Sequence, residues 1–156
     1  MPAAKPIPDG FHTLTPHLVV KGAAQAIEFY KKAFGAEEIE RHAMPDGTIM
    51  HATLRIADSM FMLNDEFPQM GAKGPAALGG SPVTLHLYVA DADKLWERAT
   101  KAGAQVRMPI ADMFWGDRYG IVADPYGHQW SIATHKKDVT PQEVMSAMAA
   151  MPPGKC

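Results

Sequence analysis

Cysteine is nearly missing from this chain. The one present, Cys156, is the last residue, so no internal disulfide can staple the fold and a reducing, cytoplasmic setting is the expectation. Neither charge dominates: 15 Lys and Arg stand against 17 Asp and Glu, for a net charge of −2. That balance argues against a nucleic-acid partner or an anionic membrane surface, both of which a basic excess would mark. No run approaches the ~20 apolar residues a membrane-spanning helix requires. The opening MPAAKPIPDGF has one lysine and several prolines but no apolar stretch, so no signal peptide is expected. The glycines of 67–81 are not followed by Gly-Lys-Ser/Thr, which excludes a phosphate loop, and no serine sits in a nucleophile elbow.

What the chain does have is an internal repeat. Thr15-Pro-His17-Leu18-Val-Val20 is echoed by Thr84-Leu-His86-Leu87-Tyr-Val89. A helical pattern follows each, and each pattern stops at Gly-Ala, Gly35-Ala36 and Gly103-Ala104, where a glycine just past the last turn ends a helix. The first helix should bury Ala23, Ala26, Ile27, Tyr30 and Phe34; the second should bury Leu95, Trp96, Ala99 and Ala102. Shorter strand candidates come next, at 37–43, 50–56 and 60–64 in the first copy and at 105–109, 119–123 and 129–134 in the second. Turn residues Pro45-Asp46-Gly47 and Asp124-Pro-Tyr-Gly127 separate them.

The pattern is βαβββ twice over, an α+β fold of paired modules. The expected divisions are a first module at 11–66, a Gly/Ala/Pro-rich linker or lid at 67–81, a second module at 82–136, and a C-terminal helix and tail at 137–156. Thr140-Pro-Gln-Glu143 is a capping box with proline at the first helical position, so the last helix should start there. Its Val144, Met145, Met148 and Met151 would need a surface to pack on, such as a partner subunit.

Strand alternation sorts residues onto two faces. Leu18 and Val20 oppose Thr15, His17 and Val19; Leu85 and Leu87 oppose Thr84, His86 and Tyr88; Trp130 and Ile132 oppose Ser131, Ala133 and His135. Met60, Met62 and Asn64 share a side, and His51, Thr53 and Arg55 are placed with them. The apolar sets belong under helices, the other sets in a partly wet cavity. Trp130 falls with the core.

The stretches TPHLVVKGAAQAIEFYKKAFGAEE, TLHLYVADADKLWERATKAGA and FWGDRYGIVADPYGHQWSIATH, in that order, resemble the glyoxalase/bleomycin-resistance/dioxygenase group, the vicinal-oxygen-chelate superfamily. The nearest branch is the phosphonate-operon-associated, demethylubiquinone-methyltransferase-like one, and the likeness spans residues 11–136. It implies a cup-shaped mixed sheet with helices on its outer face, made by pairing two modules within or across a homodimer. The family's metal enzymes place ligands on the first and last strands of each module. Carried across, those points fall at Thr15, Met62, Thr84 and Ser131, none of them a usual ligand for a divalent cation. No metal ligand and no cofactor are therefore expected.

Candidate residues follow from this frame. His17 and His86 occupy matching positions, suited to binding a substrate or moving a proton near neutral pH. The alternatives are hydrogen-bonded cavity histidines without chemistry, or a displaced divalent metal site with His51 or His135 as third ligand. The expected ligand-binding set is His17, His51, Met62, Asn64, His86, Tyr88, Phe114, Trp115, Arg118 and Ser131. The aromatic residues would suit a flat or apolar small molecule. Arg118 would clamp a carboxylate or phosphate, unless it forms a surface Asp–Arg pair or a turn-stabilising contact. The acidic strand end at Asp65 and Glu66 is a weaker candidate base, and His12, His42 and His128 are given no role. Three functions compete: a small-molecule binding protein without the family metal; a lyase, isomerase or dioxygenase using a displaced metal or histidine acid–base chemistry; and a scaffold with a vestigial cleft that acts through its dimer surface and C-terminal helix.

Overall fold

Each half of the chain leaves a strand and turns directly into a helix, as the repeat requires. The computed structural model describes residue 1 and residues 3–154; Cys156 lies outside them. The first half runs β1 (His17–Val20), α1 (Ala23–Phe34), β2 (Glu37–Ala43), β3 (Ile49–Ile56) and β4 (Ser59–Asp65). The linker carries a 3-10 turn and a one-turn helix, α2 (Pro75–Leu78). The second half repeats the order with β5 (Thr84–Tyr88), α3 (Ala92–Ala102), β6 (Gln105–Asp112), β7 (Asp117–Ala123) and β8 (Gln129–His135). Helix α4 (Pro141–Ala149) closes the chain, with Thr140 and Glu143 capping each other reciprocally. The α+β architecture of two βαβββ units is the one expected.

The sheets are mixed, ordered β1-β4-β3-β2 and β5-β8-β7-β6. In each, the first strand lies parallel to the last, and the remaining pairs are antiparallel. Gly35 and Gly103 end α1 and α3 in the left-handed conformation, at φ 67° and 113°. The helix starts are fixed differently. Asp65, at the end of β4, accepts the backbone N–H groups of Gly22 and Ala23 at 3.0 and 2.8 Å, and that of Ile49 at 2.7 Å. This carboxylate caps α1 from another strand, which corrects its reading as a candidate base. At the equivalent place, Thr134 Oγ1 accepts from Ala92 N, while Asp91 caps the first turn of α3.

The two halves join through their helix-bearing sides. Tyr30, Phe34 and Phe61 of the first meet Trp130 of the second, with ring centroids 5.5, 4.7 and 5.9 Å from the indole. A single buried cluster runs from Leu18 and Leu63 through α1 to Val122 and Ile132. Asp124, only 5% exposed, sits at this junction. Its Oδ2 accepts from Tyr30 Oη at 2.7 Å and Trp130 Nε1 at 2.9 Å, and its Oδ1 accepts the N–H groups of Tyr126 and His128. Burial, then the adjacent Asp124 charge, push the Tyr30 phenol well above its ordinary pKa. Arg98 adds bonds to the carbonyls of Lys31 and Lys32, and His128 Nε2 donates to the Val19 carbonyl. A buried carboxylate with four donors is fully satisfied and holds the modules in one orientation.

A candidate site divided between two open faces

Because the helix-bearing sides share the core, the opposite side of each sheet is turned away from it. The first open face carries the row His17, Met62, Thr53, Glu40, one residue from each strand in hydrogen-bonded register. His17 Nε2 lies 2.6 Å from Asn64 Oδ1, whose amide nitrogen donates to the Asp65 carbonyl. His51 stands edge-on to His17, centroids 5.9 Å apart. Thr53, 1% exposed, donates from Oγ1 to Glu40 Oε1 at 3.1 Å. So His17, His51, Met62 and Asn64 come together as expected from alternation. Part of this face is overlain by the N-terminal segment, where a Cβ on Gly10 would lie 2.9 Å from Met60 Cε.

The second open face carries the matching row His86, Ser131, Ile121, Met108. His86 Nδ1 is 2.6 Å from Ser131 Oγ. Its ring is edge-on to Tyr88 at 4.4 Å and nearly parallel to Tyr119 at 5.8 Å. Trp115 leans on Tyr119 at 5.3 Å, and Phe114 on Trp115 at 5.0 Å. Beneath these rings lies Asp117, 5% exposed. It accepts from His135 Nδ1 at 2.7 Å, Tyr88 Oη at 3.0 Å and Trp115 Nε1 at 3.2 Å. Desolvation acts to raise the Asp117 carboxyl, but hydrogen bonds from His135, Tyr88 and Trp115 hold it below the usual carboxylate range. Desolvation lowers the pKa of His86, and the nearby Asp117 charge partly offsets it. Bonds to Asp138 and then Asp117 raise His135.

Several expectations need correction. Arg118 is not on this face: as the neighbour of Asp117 and Tyr119 it points to the opposite side, by strand alternation. There its guanidinium holds Asp93 of α3 at 2.8 Å and Asp112 of β6 at 3.4 Å, which leaves it no free fork for a ligand carboxylate. The alternative of a surface Asp–Arg pair is what the structure shows, with Asp93 and Asp112 as the acids, while Asp117 is the hub of the aromatic wall. Thr15 lies before β1 and bonds the His12 carbonyl; register sets His17 opposite Met62 and His86 opposite Ser131, so the histidines themselves hold the strand positions assigned to Thr15 and Thr84. His17 and His86 do not meet across a hollow in the single chain. The bonds and ring contacts of each stay within its own module. His135 serves Asp117 and Asp138, far from completing a set with His51.

Asp117 and Asp124 were the residues sequence reasoning missed. Alternation gives Asp117 the side of Tyr119, but nothing local shows that Tyr88, Trp115 and His135 converge on it. The metal ligand points fare no better as a set. His17 is beside a thioether and an amide, and His86 beside a hydroxyl. Among the described residues no three His, Cys, Asp or Glu side chains converge closely enough, as they stand, to hold an ion. No described helix is long and apolar enough to cross a membrane.

Comparison with known proteins agrees with this architecture. Residues 10–132 match the profile of the Glyoxalase/Bleomycin resistance protein/Dioxygenase superfamily. An uncharacterized Mycobacterium bovis protein, Mb0911c, is 51% identical over 144 residues, covering 90% of this chain and 95% of its own. Protein YjdN of Escherichia coli is 28% identical, covering 81% and 98%. The crystal structure of TioX from Micromonospora sp. ML1 superposes with a TM-score of 0.64 at 26% identity, covering 80% of this chain and 98% of that one. With its repeat, its sheet order and this match over most of its length, the chain belongs to the glyoxalase/bleomycin resistance protein/dioxygenase superfamily.

Proposed function

We propose that this protein binds a small organic molecule in a cup that two copies complete. The first open face of one copy would oppose the second open face of the other, without a metal at strand positions 17, 62, 86 and 131. The observation that carries the reading is the uncovered aromatic wall. Tyr88 is 64% exposed although its hydroxyl is tied to a buried carboxylate, so a fixed ring faces solvent. Rigid aromatic surface beside a few polar groups is what a flat ligand needs. Topology supports a second copy, because the two faces of one chain look away from their shared core. A second reading, histidine acid–base chemistry, draws support from His86, whose pKa desolvation lowers and whose Nδ1 is hydrogen-bonded to Ser131 Oγ.

Light scattering, combined with Trp115 fluorescence during titration with planar aromatic and carboxylated compounds, tests the binding reading. The expected result is a particle of twice 17.0 kDa whose fluorescence a planar compound quenches, with quenching lost in Tyr88→Ala and Tyr119→Ala. A monomer that binds no compound of the panel overturns it. Turnover of a bound compound that disappears in His86→Gln while binding persists would favour the second reading.

A further inference from the structure

The aromatic wall of the second open face is built around charge of one sign. Tyr88 Oη and Trp115 Nε1 donate to the same atom, Asp117 Oδ2, at 3.0 and 3.2 Å. Between those two ends the rings form a continuous chain: Tyr88 to His86 at 4.4 Å, His86 to Tyr119 at 5.8 Å and Tyr119 to Trp115 at 5.3 Å. Ser131 and Ala133 on the strand beneath are buried, so a ligand would lie on the rings rather than between them. His86 and Tyr88 are exposed there, and Trp115 and Tyr119 half-buried.

The polar hydrogens of Tyr88 and Trp115 are directed inward, at the acid, so these two rings offer a ligand their π-faces, the negative part of the ring quadrupole. Donation to an anion polarises them further in that sense. The neighbouring positive charges are engaged elsewhere. Arg118 is held by Asp93 and Asp112 on the helix-bearing side. The charges of Lys136 and Lys137 bear on Asp93 and Glu143. His135 sits between Asp117 and Asp138, so even as an imidazolium it leaves that trio net negative.

We infer that the second face selects a planar organic cation, such as an N-alkylated heteroaromatic ring, over neutral or anionic compounds of the same shape. Stacking on the rings supplies contact area. Cation–π attraction to Tyr88, Tyr119 and Trp115, with the Asp117 carboxylate behind them, supplies the preference for positive charge. A carboxylate in the same place would meet π-faces and a buried anion, with the Arg118 guanidinium turned away. The inference rests on the binding reading above and adds the ligand's charge to it.

The test is calorimetric titration of the full-length protein with three probes of similar shape: the N-methylacridinium cation, neutral acridone and the anthracene-9-carboxylate anion. The cation should bind at least about tenfold more tightly than acridone at low salt, and the anion most weakly. The advantage of the cation should shrink as salt is added. Asp117→Asn, shown to be folded by circular dichroism, should remove most of that advantage and leave acridone binding unchanged. Tyr88→Leu should weaken both the cation and acridone. Acridone or the anion binding the parent protein as tightly as the cation overturns the charge preference while the binding reading stands. An equal loss of all three probes in Asp117→Asn also overturns it, because the acid would then only hold the wall in shape. No binding by any probe overturns the binding reading and this inference with it.

Discussion

The two open faces share a backbone register and one histidine, and differ in nearly everything around it. Aligned by strand pairing, His17, Met62, Thr53 and Glu40 on the first correspond to His86, Ser131, Ile121 and Met108 on the second. The flanking positions diverge as sharply: Asn64 corresponds to Ala133, and Val19 to Tyr88. Around His17 the duplication has kept imidazole, amide and carboxylate, groups that exchange protons or bind cations. Around His86 it has placed phenol, indole and aliphatic side chains over one buried carboxylate. A cup drawing on both would offer a polar, donor-rich wall and an aromatic wall to the same ligand. The division of labour is thus between halves, with the histidine as the common element.

The comparison breaks most easily at the acids. Asp117 and Glu40 each anchor their own face, but Asp117 is buried with three side-chain donors whereas Glu40 is 49% exposed. Asp117→Ala should cost about 2–4 kcal/mol, because Tyr88, Trp115 and His135 lose their acceptor together. Thermal unfolding should show a drop of roughly 5–12 °C and a change in Trp115 emission. Glu40→Ala should stay within about 0.5 kcal/mol of the parent, as exposed polar contacts do. Equal losses in the two variants would show that the first face is also organised by a structural carboxylate.

A smaller effect separates the helix-bearing sides. Gly120 and Ala52 occupy equivalent positions, paired with Ile132 and Leu63 respectively. A Cβ on Gly120 would fall 2.5 Å from Trp96 Cζ3 and 2.9 Å from Ile110 Cα, so α3 lays its indole directly on the β7 backbone. Gly120→Ala should destabilise by about 1–3 kcal/mol through overpacking, measured by denaturant midpoint. Ala52→Gly should cost about 0.5–1 kcal/mol, the entropic penalty of glycine in a strand. A neutral Gly120→Ala would mean that Trp96 can leave its seat.

How much of this was legible in the sequence depends on the range of the interaction. The helices, their glycine stops and the Thr140–Glu143 box rest on contacts within four residues, and periodicity reveals them. Which side His51, Thr53, Met62 or Tyr88 takes follows from alternation alone. Register does not: that His17 rather than Thr15 opposes Met62 is settled by pairing 45 positions away, where a two-residue slip keeps every side chain on its face. Arg118 shows the opposite error, where a one-residue difference in phase exchanges a cavity position for an ion pair with Asp93. Asp117 and Asp124 gather donors from distant segments, and no local pattern records such convergence. The sides by which the modules meet depend on the burial of Tyr30, Phe34 and Trp130 against one another, a property of the assembled core.

The smallest effect expected is a pH dependence confined to the second face, where two histidines act with opposite sign. His135 has its pKa raised in the fold by Asp138 and Asp117, so its stabilisation is complete below the unfolded value near ~6.5 and is lost as pH rises through the folded value. His86 has its pKa lowered by desolvation, so the fold resists its protonation and becomes less stable as pH falls below ~6.5. Comparing melting temperatures at acidic and mildly alkaline pH resolves the two. His135→Gln should lower stability on the acid side more than on the alkaline side. His86→Gln should do the reverse, relieving an acid-side penalty and leaving the alkaline side nearly unmoved. Parallel profiles for both variants and the parent would mean that the fold moves neither imidazole: His135 would then gain nothing from Asp138 and Asp117, and His86 would lose nothing to desolvation.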